Sequence, residues 1–211
     1  MSRIVSFIAV LLTASAAPAG ADVFAELDAS VTFPEGDEAY DDLIDTSTSY
    51  GVRGGWLFVS QPLESAPVLS WVAGVELGAS TSTLSHDGED PDNPSFRRRR
   101  ALAGIRGGVQ LPDWLINVRV GVGVEEIHMR ADGFLGALCG SPKVKGLATE
   151  AAVVSYLRLG RFLIGGQLGV ARGVHEGDRP ECTGFERPVV VDVLDFNSVD
   201  VTFSLVAGAR L

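Results

Sequence analysis

Three histidines, His86, His128 and His175, are the side chains best suited to move protons near neutral pH. Two have chemically interesting neighbours: Ser85 adjoins His86, and Glu125 and Glu126 precede His128. Acid–base and nucleophilic catalysis require the base to reach the group it activates. Adjacent side chains of a strand point to opposite faces, so Ser85 and His86 do not meet, and no Gly-x-Ser-x-Gly elbow is present. No catalytic residue is assigned. The stretches "PEGDEAYDD" and "HDGEDPDN" are crowded with carboxylates, and Asp87, Glu89, Asp90, Asp92 and Asn93 are oxygen ligands of the kind calcium takes. No glutamate closes a twelve-residue loop begun at Asp87, however, and a solvated acidic loop accounts for the composition. Neither a metal nor a cofactor is expected. The tetrad "RRRR" at 97–100 reads as the end of a surface loop, where it either pairs with phosphates of surrounding lipid or neutralises the acidic stretch before it.

The compartment follows from the first residues. Arg3, the apolar run Ile4–Leu12 and the small residues up to Ala21 fit a secretory signal over 1–21, leaving one domain over 22–211. The apolar run is too short to cross a membrane, no later stretch is long enough to do so as a helix, and any span must therefore be β. In an exported chain Cys139 and Cys182 fit a disulfide, worth about 2–4 kcal/mol. With only His175 near Cys182, they form no zinc framework. The net charge of −10 excludes a nucleic-acid partner, which would need a basic surface.

The elements that carry these residues are strands. In "LINVRVGVGVEE" the residues Ile116, Val118, Val120, Val122 and Val124 alternate with Asn117, Arg119, Gly121, Gly123 and Glu125. That period of two separates an apolar from a polar environment. Similar alternation marks eight segments, near 23–33, 50–60, 69–80, 100–111, 115–126, 148–158, 162–172 and 199–211. Through their central stretches the more apolar face carries no Asp, Glu, Lys or Arg. The opposite face carries Glu26, Asp28, Arg53, Glu76, Arg100, Arg106, Arg119, Glu125, Glu150, Arg158, Asp200 and Arg210, six acids against six bases, interleaved with glycines. Balanced charge among glycines suits a cramped interior of paired ions, with Gly121 and Gly123 leaving room beside Arg119 for neighbouring carboxylates. The connections alternate long and short: "QPLESAPV", "PDW" and "LGR" are the short ones. Trp56, Phe58, Trp71, Trp114 and Phe162 cluster on the short side, and Phe33 and Tyr50 are expected to meet across the first long loop.

This layout resembles the small OmpA/OmpX-type outer-membrane β-barrel proteins over nearly all of residues 23–211. The resemblance implies an all-β, eight-stranded antiparallel up-and-down transmembrane β-barrel in the outer membrane of a Gram-negative bacterium. It further implies a monomer surrounded by lipid and lipopolysaccharide, inserted by the barrel assembly machinery. That machinery reads a last strand that usually ends in an aromatic residue, whereas "VDVTFSLVAGARL" ends in Leu211. A structural, adhesive or surface-interaction role is expected. The rivals are a lipid-modifying enzyme using the histidines at a rim, a narrow channel, and a soluble lipocalin-like barrel with its apolar face inside.

Overall fold

The computed structural model describes residues 21–36, 46–62, 68–85, 95–130, 143–177, 181–182, 189–190 and 197–211. Eight strands form a closed antiparallel barrel: β1 (Ala21–Gly36), β2 (Thr46–Val59), β3 (Ser70–Ser85), β4 (Ser95–Gln110), β5 (Trp114–Arg130), β6 (Lys143–Leu159), β7 (Phe162–Gly177) and β10 (Asn197–Arg210). Between β7 and β10, β8 (Glu181–Cys182) pairs with β9 (Val189–Val190) as a separate ribbon. Neighbours in sequence are neighbours in space, and β1 meets β10 to close the ring. Beyond that ladder, Leu211 N–H donates to Val23 O at 2.8 Å and Arg210 N–H to Arg161 O at 2.8 Å.

Following register partners from Trp71 through Val109, Ile116, Ser155, Gly166, Leu205, Ala29 and Tyr50 leads back to Thr81 on the starting strand. The stagger is ten residues (81 − 71), which for eight strands gives a tilt of about 40°. Sixteen-residue strands such as β1 and β3 are then roughly 50 Å long and rise about 40 Å, more than the apolar belt of about 25 Å that such barrels carry. The excess lies on the loop side. Strands expected near 100–111 and 148–158 therefore run as 95–110 and 143–159, because the ladder continues past the last apolar outward residue.

The faces separate sharply. On β5, Val118, Val120, Val122 and Val124 are 51–60 % exposed, while Asn117 and Arg119 are each 1 % exposed. Leu27, Ile105, Leu147, Leu168 and Leu205 likewise point outward. The uncharged outward rows end at Glu126 on β5 and Arg172 on β7. Two turns at the terminus side are tight: Leu111 N–H donates to Trp114 O at 2.8 Å, and Gly160, at φ 65°, supplies the left-handed residue between β6 and β7.

Several expectations need correction. Arg97–Arg99 are strand rather than loop, so alternation sends Arg98 inward alongside Arg100, whose inward place is expected, and Arg97 and Arg99 outward. Phe33 meets Phe203 edge to face at 6.0 Å, not Tyr50, because Phe33 pairs with Val201 while Tyr50 pairs with Ala29. Trp114 opens β5 instead of sitting in the turn. Residues 1–20 lie outside the described residues.

Candidate functional site

The lumen is built in tiers, each strand contributing alternate residues. At the terminus-side rim Arg210 reaches Asp22 and donates to Gln110 Oε1 at 2.7 Å, while Arg158 donates to the carbonyls of Leu111 and Pro112. Arg158 thus braces a turn rather than the ionic interior. Above the rim Phe24, Leu57, Val72, Leu115, Val154, Tyr156, Leu163 and Val206 form an apolar cluster inside the barrel. An interior filled by ions alone is corrected on this point: these eight share the inward parity of the charges, and their apolar character is masked by the charged residues between them.

A continuous ionic chain crosses the middle. Arg106 clasps Glu26 through Nη1 and Nη2 at 2.7 and 3.1 Å and donates to Glu76 Oε2 from Nε at 2.6 Å. Its guanidinium carbon lies 4.0 Å from the Phe24 ring centre, and Tyr156 Oη donates to Glu26 Oε1 at 2.8 Å. Glu76 also faces Arg53 at 3.5 Å, and Arg53 holds both oxygens of Glu150 at 2.9 Å, with Asp28 at 3.9 Å. Glu150 is shared with Arg119, which extends the chain to Gln167. Gly78 gives Arg53 its course: an added Cβ there would stand 3.1 Å from Arg53 Cγ. Arg119 lies inward as its spacing requires. Leu102 is the side chain nearest Gly121, and Glu150, the register partner of Gly121 on β6, is the carboxylate that reaches Arg119.

A second cluster occupies the loop side. Arg98 pairs with Asp200, and Arg100 donates to Glu125 Oε2 at 2.6 Å and to Asp200 Oδ2 at 3.3 Å. His175 Nε2 lies 2.5 Å from Glu125 Oε1. Between this cluster and the middle chain is a cavity of about 40 Å³, lined by hydroxyls including Ser30, Ser49, Ser82, Thr202 and Ser204 and by Arg53, Arg98 and Asp200. It has room for a few waters.

The sequence-derived residues are thus distributed as follows. Glu26, Asp28, Arg53, Glu76, Arg106, Arg119 and Glu150 meet in the middle, Glu125 and Asp200 in the loop-side cluster, and Arg210 at the rim. Cys139 and His86 lie outside the described residues, and only the backbone of Cys182 is described, in the ribbon. His128 faces outward on β5 and His175 inward on β7, so the two do not share a rim site. The buried Ser198 hydroxyl makes no hydrogen bond among the described residues, and Ser198, His175 and Glu125 do not form a catalytic relay. Arg98, His175, Tyr156, Phe24 and Gln167 were missed. Arg98 and His175 carry the right parity but lie past the expected strand ends.

Eight antiparallel strands closed on themselves, apolar outside and ionic inside, define an outer-membrane-type β-barrel fold. No family model and no curated protein matches the chain. Among solved structures, Ail, the attachment invasion locus protein of Yersinia pestis, in its complex with the heparin analogue sucrose octasulfate, is 10 % identical with a TM-score of 0.50, covering 90 % of this chain and 99 % of that one. Neisserial surface protein A is 8 % identical with a TM-score of 0.48 (91 % and 99 % covered), and the Escherichia coli outer membrane protease OmpT 7 % with 0.39 (90 % and 96 %). At these identities the likeness concerns the fold alone.

Proposed function

We propose that the chain is an integral outer-membrane protein of the small OmpA/OmpX type in a Gram-negative bacterium, a monomer with a structural, adhesive or surface-interaction role and neither an enzyme nor a pore. The observation that carries this reading is the inversion of polarity: valines and leucines cover the outside while arginines and glutamates are buried. A soluble lipocalin-like barrel needs the opposite arrangement. The lumen is obstructed twice, by the apolar cluster and by the ionic chain above it, which favours a silent barrel over a narrow channel. Lipid and lipopolysaccharide are its surroundings and the assembly machinery its partner in insertion. Residues 1–21 act as the export signal, and a Cys139–Cys182 bridge tethers two surface loops.

Cell fractionation tests the reading. The protein is expected in the outer membrane with a heat-dependent shift in gel mobility; recovery in the soluble fraction without detergent and without that shift contradicts it. In planar bilayers no conductance steps are expected, and reproducible steps would establish the channel instead.

A further inference from the structure

The outward faces of β4, β5 and β6 change character at their loop-side ends. Ala101, Val124 and Leu147 are mutual register neighbours and exposed. The next outward row is Arg99, Glu126 and Lys145, and the one beyond it Arg97, His128 and Lys143. All four Arg and Lys side chains are exposed, and none makes an ion pair with a described residue. Arg98 and Arg100 of the same tetrad are, by contrast, consumed by Asp200 and Glu125 inside. Glu126 stands between Arg99 and Lys145 in the register and is the acid of these two rows. The corresponding outward positions of β10, β1 and β2, namely Val199, Val201, Phe33 and Thr48, carry no cation.

Strand spacing places the four cations within about 10 Å across and 7 Å along the sheet, the span of a headgroup bearing two phosphates. Apolar rows continue directly below. A ligand that satisfies both regions joins phosphates to acyl chains.

We infer that this face binds the phosphorylated headgroup of an outer-leaflet lipid of the lipid A type, with Arg97, Arg99, Lys143 and Lys145 as its phosphate ligands. Guanidinium groups take phosphate oxygens in pairs and the lysines supply compact charge. His128, between Arg97 and Lys143, adds a hydrogen bond. The inference rests on the outer-membrane reading above.

The test uses the purified barrel in phosphatidylcholine nanodiscs, titrated with bisphosphorylated lipid A, with the same lipid lacking phosphates, and with inorganic phosphate. Binding is read by native mass spectrometry. The wild-type protein and Arg161→Gln, an exposed cation in a terminus-side turn, are expected to prefer the bisphosphorylated lipid by about tenfold or more, and the combined R97Q/R99Q/K143Q/K145Q variant to lose that preference. Should the fourfold variant fail to show the heat-dependent gel shift of a folded barrel, R99Q/K145Q carries the test, with a loss of about threefold or more. No preference in the wild type, or an undiminished preference in a folded variant, overturns the inference. Inorganic phosphate binding as tightly as the lipid overturns the lipid assignment. Nanodiscs place the barrel in lipid whatever its cellular address, so failure here leaves the outer-membrane reading standing, and recovery from the soluble fraction would refute that reading by itself.

Discussion

The two halves of the lumen solve the burial of charge differently. In the terminus-side half, Arg106 is shared by Glu26 and Glu76, backed by the Phe24 ring and capped by Tyr156, and the apolar cluster lies beneath. None of these residues lines the cavity, and the charges are met by one another and by Tyr156. In the loop-side half, Arg98, Arg100 and Asp200 border a hydroxyl-lined space that admits water, and Glu125 and His175 are joined to them through Arg100. A charge that loses its partner there has an alternative. Closure and stability are thereby assigned to the first half, and tolerance of change to the second.

Arg106→Met is expected to have the largest effect, about 3–5 kcal/mol, because it leaves Glu26 with no cation, only the Tyr156 hydroxyl, and Glu76 with only the longer contact to Arg53, both away from the cavity. Urea unfolding of the barrel in lipid vesicles, followed by gel mobility, measures it. Next comes Tyr156→Phe, which removes one hydrogen bond to a carboxylate for about 1.5–3 kcal/mol in the same assay. Arg100→Met breaks contacts of similar geometry but leaves Glu125 with His175, and Asp200 with Arg98 on the cavity wall; a loss of about 1–2 kcal/mol is expected. Should it equal the loss in Arg106→Met, the contrast between the halves fails. Ser82→Ala, on the cavity wall, is expected within about 0.5 kcal/mol of wild type, and a larger loss would mean that the hydroxyls hold the wall together rather than merely wet it.

The facing of all eight strands was legible in the sequence, because a period of two survives without knowledge of the partner strand. Arg53, Arg106, Arg119 and Glu150 could be assigned inward for that reason. Strand ends were not legible, since Arg97–Arg100 have the composition of a loop and reveal themselves as strand only through the ladder to Glu125–His128. Nor was the choice of partner legible. Arg53 meets Glu150 and Tyr156 meets Glu26 across the lumen, pairings set by the ten-residue stagger, which no local pattern encodes. The apolar cluster is hidden in the sequence because its members are scattered over seven strands, with only β6 contributing more than one.

The central claim is that the valine face of β5 lies against lipid while its other face is the packed interior. Val120, at the middle of that face, is the most direct probe. Val120→Arg in phospholipid vesicles is predicted to cost about 2–4 kcal/mol of folding free energy, as a cation at the bilayer mid-plane does. A change within about 0.5 kcal/mol, the range of an ordinary surface substitution in water, would contradict the account.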